Sequence, residues 1–232
     1  EVVAWNRAVH EAVYAELQGG RLPILLGGDH CLGIGSISAV ARHCREAGKK
    51  LRVLWLDAHA DFNTNQLTPS GNIHGMPVAC LCGHGPQELI EIGGTVPAIS
   101  AKAVRQIGIR SVDQGEKRFV HQVGLEVFDM RYIDEMGMRH TMELALATLD
   151  ANTHLHVSFD VDFLDPVYAP GTGTPEIGGA STYDAQQLVR GLQGLNLVGG
   201  DVVEVSPPFD PSGNTALVGM TMAAGVITWA WS

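Results

Sequence analysis

Asp57, His59 and Asp61 occupy every second position of the stretch "WLDAHADFNT", with alanines between them. The two carboxylates, held this close, repel each other unless a proton or a cation intervenes. Residues at i, i+2 and i+4 share one side of an extended chain, whereas helical geometry scatters them. The spacing therefore predicts three ligands aimed together, directly after the apolar run "LRVLWL". The same alternation returns in "HVSFDVDFLDP" with Ser158, Asp160 and Asp162, while "LLGGDH" adds His30 behind Asp29 and "VVEVSP" adds Glu204. His30, Asp57, His59, Asp61, Asp160 and Asp162 make two imidazoles and four carboxylates. Four carboxylates balance two divalent ions, and six residues suffice if two carboxylates bridge. An oxygen-rich set without thiolate suits manganese or magnesium better than structural zinc. Any one of these residues alone reads as a solvated surface charge; their repetition after three apolar runs is what points to a metal centre.

Something must bring those runs to one edge. "LPILL", "LRVLWLD", "AVRQIGIR", "LEVFD", "HLHVSFDVD" and "DVVEVSP" read as strands. Helical spacing is expected over 2–20, 34–48, 76–90 with a break at 83–86, 116–123, 130–135, 141–149, 182–195 and 215–230, and 62–74 reads as a polar loop. Such alternation predicts one α/β domain over 1–232, a mostly parallel sheet with helices on both faces. Ligands in such folds sit at the carboxyl ends of the strands, which is where all the candidates fall.

The chain of 232 residues is long enough for a full core, and 45% of it is hydrophobic. A net charge of -10 argues against nucleic acid or an anionic membrane as partner. No apolar run reaches transmembrane length. Cys31, Cys44, Cys80 and Cys82 include no CxxC pair, so reduced thiols and a cytoplasmic location are expected. The chain opens at Glu1 inside a helix, and a missing amino-terminal segment is expected.

Taken together, "GGDH", "DAHADFNT", "SGNIHGMP", "SFDVDFLDP", "APGTGTP" and "VVEVSP" resemble the ureohydrolase family of arginases and agmatinases, in the family's order, from about His30 to Glu204. The resemblance implies an α/β fold, two Mn2+ per chain and hydrolysis of a small guanidino substrate to urea. It implies His30, Asp57, Asp61 and Asp160 on one ion, and His59, Asp57, Asp160 and Asp162 on the other, with Asp57 and Asp160 as bridges. A metal-activated hydroxide would attack the guanidinium carbon, Asp61 would pass a proton to the leaving amine, and Glu204 would hold the guanidinium. His74 matches the family's proton-shuttling histidine. Homotrimers or homohexamers are the usual assemblies of the family.

The loop "NTNQLTPSGNIHGMP" is nearer the arginase version than the agmatinase version. By that match Asn63, Thr68 and Ser70 receive an amino acid's carboxylate, with Asn72 nearby, and Asp113 and Glu116 face its ammonium. Thr174 of "GTGTP" is expected near the guanidinium. Two departures stand out: Ser111 replaces a usual acidic residue of arginases, and "EVSP" is the agmatinase form of a segment that arginases more often write "EVNP". L-Arginine hydrolysis to L-ornithine and urea is the expected activity; agmatine or another guanidino acid is the alternative substrate, and a non-catalytic metal-binding relative the alternative from another class.

Overall fold

The computed structural model describes residues 1–230, and the side chains of 1–228; residues 231 and 232 of the expected domain lie outside the described residues. Six strands form one sheet: β1 (Ile24–Leu26), β2 (Lys50–Leu56), β3 (Val104–Ile109), β4 (Glu126–Asp129), β5 (Thr153–Asp160) and β6 (Leu197–Val203). Their order is β1-β6-β5-β2-β3-β4, and every pair is parallel. The helices are α1 (Val2–Gln18), α2 (Gly33–Glu46), α3 (Pro77–Leu81), α4 (Gln87–Ile90), α5 (Gln114–Val123), α6 (Met130–Met136), α7 (Met138–Leu146), α8 (Thr182–Gly191) and α9 (Asn214–Ala230).

Strand period two divides the core. Leu54 and Leu56 of β2 join Leu155, Val157 and Phe159 of β5 in a cluster with α6 to α9. Val53 and Trp55, on the opposite face of β2, pack with residues of α2, α3 and α5. β2 is thus apolar on both sides, as a doubly covered parallel sheet requires, whereas β5 is apolar on one side and carries His154, His156 and Ser158 on the other.

The order also fixes where a ligand can sit. From β2 the chain builds outward through β3 and β4; from β5 it builds the other way through β6. β2 and β5 are neighbours, so the topological switch point lies between them, and a crevice opens at their carboxyl ends. Leu56 is paired with Phe159, so Asp57 follows one strand directly beside Asp160 at the end of the other. Asp160 in turn is paired with Val203, which places Glu204 one residue beyond β6.

Several boundaries differ from the sequence expectation. β6 begins at Leu197 and stops at Val203, whereas "DVVEVSP" was expected as strand, so Glu204 lies outside the strand. β2 ends at Leu56, and His59 continues the edge only through a single parallel bridge to Ser111. The expected helix over 76–90 is two short helices, α3 and α4, with the break where glycine and proline were expected to force one. Helix α8 stops at Gly191, four residues short.

Candidate metal and substrate site

His30 opens a 3-10 turn after β1, and its ring lies flat on Trp55, with centroids 3.9 Å apart. The same Trp55 donates from Nε1 to Asp57 Oδ2 at 2.9 Å, so one buried indole positions both groups. His30 Nδ1 faces Asp57 Oδ2 at 3.1 Å, Asp160 Oδ2 at 3.1 Å and Asp61 Oδ2 at 3.4 Å. His59 Nδ1 faces Asp162 Oδ2 at 3.0 Å and Asp57 Oδ1 at 3.4 Å. Two groups of potential ligands result, His30–Asp57–Asp61 and His59–Asp57–Asp162, with Asp57 in both. Asp160 joins the first through His30 and, through its Oδ1, accepts from the Asp162 backbone N–H at 2.8 Å.

The backbone aims the remaining carboxylate oxygens. Asp57 Oδ1 accepts from His59 N–H at 2.7 Å, and Asp162 Oδ1 from Ala58 N–H at 3.1 Å. Asp61 and Glu204 are the non-glycine residues with left-handed φ, at 49° and 61°, among the described residues. Such a conformation costs roughly 1–2 kcal/mol for an L-residue and persists where the surroundings impose it. At Glu204 the imposing bonds are visible: its N–H donates to Gly28 O at 2.7 Å, and its Oε1 accepts from His30 N–H at 2.7 Å.

Burial sets the electrostatics. It pushes the Asp61 and Asp160 carboxyls far above the ordinary range, and nearby carboxylates push them further. Asp162 is raised for the same reasons. Asp57 moves down, because both imidazoles outweigh its burial. Burial opposes charge on His30 and His59, yet the surrounding carboxylates prevail and raise both. Without a metal, then, burial and mutual repulsion favour retained protons on Asp61, Asp160 and Asp162. The donor set fits divalent cations: His30 Nδ1 is buried with no hydrogen-bond partner, while three carboxylate oxygens face it within 3.4 Å.

A relay of buried groups lies behind His30. His30 Nε2 and Ser158 Oγ hydrogen-bond at 3.0 Å, Ser158 Oγ donates to Asp201 Oδ2 at 3.2 Å, and His156 Nε2 meets the same oxygen at 3.0 Å. Acceptance at Ser158 keeps the proton on Nε2 of His30, so in the neutral imidazole that a metal requires Nδ1 is the lone-pair nitrogen. Sequence reasoning passed over Asp201 and His156; an acid and a histidine inside apolar strand runs were the available signal.

Above the cluster opens a cavity of about 180 Å³, lined by His30, His59, Asp61, Asp160, Asn63, Thr68, Ser70, His74, Ser111, Asp113, Glu116, Thr174 and Glu204. Asp57 and Asp162 lie beneath its floor, each 1% exposed. Asn72 does not line it. Asn63 Nδ2 donates to Asp113 Oδ2 at 2.8 Å, coupling two of the expected substrate contacts. Thr68 and Ser70 hydroxyls stand 3.4 Å apart at the mouth. Asp113 caps α5, accepting from Gly115 and Glu116 N–H. Glu116 is buried and accepts from Phe62 N–H at 2.8 Å; burial pushes its carboxyl up to about 7. Thr174 donates to Asp162 Oδ2 at 3.2 Å, so it touches the ligand cluster itself. His74 Nδ1 lies 3.8 Å from Asp29 Oδ2, and Asp29, His74 and Glu204 gather at the rim.

A family model described as "Arginase family" matches residues 1–228. An arginase of Brevibacillus brevis is 41% identical over 228 residues, which cover 97% of this chain and 75% of that protein. The structure of an arginase from Bacillus caldovelox superposes with a TM-score of 0.92 at 39% identity, covering 97% of this chain and 75% of that one. A hypothetical agmatinase from Burkholderia thailandensis superposes with a TM-score of 0.77 at 32% identity, covering 97% of this chain and 63% of its own.

Proposed function

From the premise that this chain belongs to the arginase family, and is a hydrolase acting on a guanidino group, we propose that it hydrolyses L-arginine to L-ornithine and urea at a centre holding two manganese ions. The observation that carries the proposal is the pair of imidazole–carboxylate groups sharing Asp57 at the base of the cavity. His30, Asp57, Asp61 and Asp160 would hold one ion; His59, Asp57, Asp160 and Asp162 the other. Bound there, divalent cations supply an acidified water as the nucleophile at neutral pH.

The chain's own residues do the rest. A guanidinium is delocalised and a poor electrophile, so catalysis depends on holding its carbon in place. Glu204, fixed by the His30 N–H through one oxygen, accepts from the guanidinium nitrogens with its remaining acceptor capacity. The ammonium meets Asp113 and Glu116, and the carboxylate meets the Asn63, Thr68 and Ser70 rim. Addition of water to the guanidinium carbon is followed by rupture of the bond to the substrate's side-chain nitrogen. Asp61 carries the proton to that nitrogen, and His74 at the rim exchanges protons with solvent. Buried free cysteines at 31, 44, 80 and 82 support a reducing, cytoplasmic setting, and among the described residues no helix is long and apolar enough to cross a membrane. Homotrimeric or homohexameric assembly follows from the family resemblance.

Agmatine keeps the guanidinium and lacks the carboxylate, leaving the mouth donors without a charged partner. Water replaces part of that loss, so a preference for arginine on the order of 10²-fold in kcat/KM is expected. The test is urea release from arginine, agmatine and guanidinobutyrate by manganese-loaded protein. Equal values, or a preference for agmatine, would make the "EVSP" segment the better guide to substrate.

A further inference from the structure

We propose that Glu176 is a positioning residue for His59: its carboxylate, held by Ser111, orients the outward nitrogen of this metal-ligand imidazole. The inference rests on the two-ion reading above.

His59 turns Nδ1 toward Asp57 and Asp162, so Nε2 is the nitrogen left to face outward. It faces Glu176 Oε1 at 3.8 Å. Ser111 Oγ donates to that same oxygen at 2.9 Å, and Ser111 is bridged to His59 through the backbone. Side chains from three segments therefore converge here: Ser111 binds one oxygen of Glu176, and His59 Nε2 faces the same oxygen across 3.8 Å. A metal-bound imidazole commonly directs its other N–H to a carboxylate, which fixes tautomer and ring orientation and strengthens the ligand. A serine hydroxyl offers no charge for that purpose. Here the serine instead donates to an acid that arrives from the opposite loop.

That loop is fixed, which separates Glu176 from an ordinary surface acid. Arg110 Nη2 donates to Glu176 O at 2.8 Å and to Asp162 O at 2.6 Å. One guanidinium thus ties the Glu176 loop to the segment that carries Asp162. Asp165 Oδ2 accepts from Gly178 N–H at 2.7 Å and Gly179 N–H at 3.2 Å, bracing the loop from its far side. A methyl group at Gly179 would overlap Arg110 and the Asp165 backbone, so the approach is as close as a side-chain-free residue allows.

The test is stepwise manganese binding by the full chain, followed by metal-buffered titration and spin resonance, in the parent, Glu176→Gln, and Ser111→Asp/Glu176→Gln. The parent must take up two ions; a parent that does not overturns the two-ion reading, and this inference falls with it. Given two ions, Glu176→Gln is expected to weaken one step by ~10–100-fold and leave the other within a few-fold. Placing an acid at 111, on the segment bridged to His59, is expected to recover most of the loss. Unchanged steps in Glu176→Gln, equal weakening of both, or a double variant no better than the single one would each overturn the assignment. Metal-free melting is the control: Glu176 is partly exposed, so its removal should leave that midpoint unmoved, and a marked drop would make the role structural.

Discussion

Asp113 has two duties that a single truncation would confuse. It caps α5 through Oδ1 and binds Asn63 through Oδ2, so an alanine there removes a cap worth ~1 kcal/mol as well as a charge. Asp113→Asn keeps an oxygen for the cap and removes the charge together with the acceptor for Asn63 Nδ2. The expected result is a fall in kcat/KM for arginine of roughly 10-fold or more with manganese content and melting midpoint preserved; a loss of bound metal would place Asp113 with the ligands instead. Glu116 gives a second test. Its carboxyl titrates at about 7 in the fold against an ordinary 4.5, because burial disfavours the charge. The folded chain keeps a proton that the unfolded chain gives up across that window, so stability falls as pH rises through it. In metal-free protein, the advantage of Glu116→Gln over the parent in denaturant melts should therefore widen from about pH 5 to about pH 8. A gap that stays constant would mean Glu116 is ionised throughout. At this scale the sequence was informative where chemistry imposes a spacing, as at Asp57, His59 and Asp61. It was silent where the third dimension decides: nothing in "GTGTPEIGG" says that Glu176 reaches His59, or that Asp61 and Glu204 adopt left-handed φ.

The ends of β2, β5 and β6 carry the site, and their relative register is what a local change would disturb. The β3–β4 register slips between Ile107 and Ile109, at Gly108, whose φ is 96°. A Cβ there would overlap the Phe163 ring, and Phe163 follows Asp162 directly. Gly108→Ala is thus expected to cost roughly 2–4 kcal/mol and to lower manganese content, read by denaturant melts and metal analysis. Full stability with full metal would show that the 3-10 turn at Val161–Phe163 moves freely relative to β3. β2 was legible because a buried parallel strand is a continuous apolar run, and β5 because Leu155, Val157 and Phe159 alternate with polar residues; the short, largely exposed β4 gives a weaker signal. β6 was displaced in the sequence reading because Gly199 and Gly200 dilute its strand signal while "VVEV" prolongs it past Val203. The glycines have a packing reason: a Cβ on Gly199 would crowd the His156 ring, and one on Gly200 the Val157 carbonyl.

Four buried carboxylates at the switch point of one sheet make the whole molecule's stability a function of its metal. Ions that bind only the folded chain stabilise it by mass action, about 2.7 kcal/mol at a hundredfold excess over the dissociation constant. For a chain of 232 residues, stripping manganese with a chelator should lower the melting midpoint by roughly 5–10 °C. An unchanged midpoint would leave the cluster neutralised by its own protons alone. The most direct test of a shared two-ion centre is urea release from L-arginine measured against manganese bound per chain, as metal is added back to stripped protein. Activity should stay low through the first equivalent, rise with the second and level off at two, and Asp57→Ala should lose both equivalents because Asp57 belongs to both ligand groups. Full activity at one ion per chain, or an Asp57→Ala protein that still binds two, would contradict it.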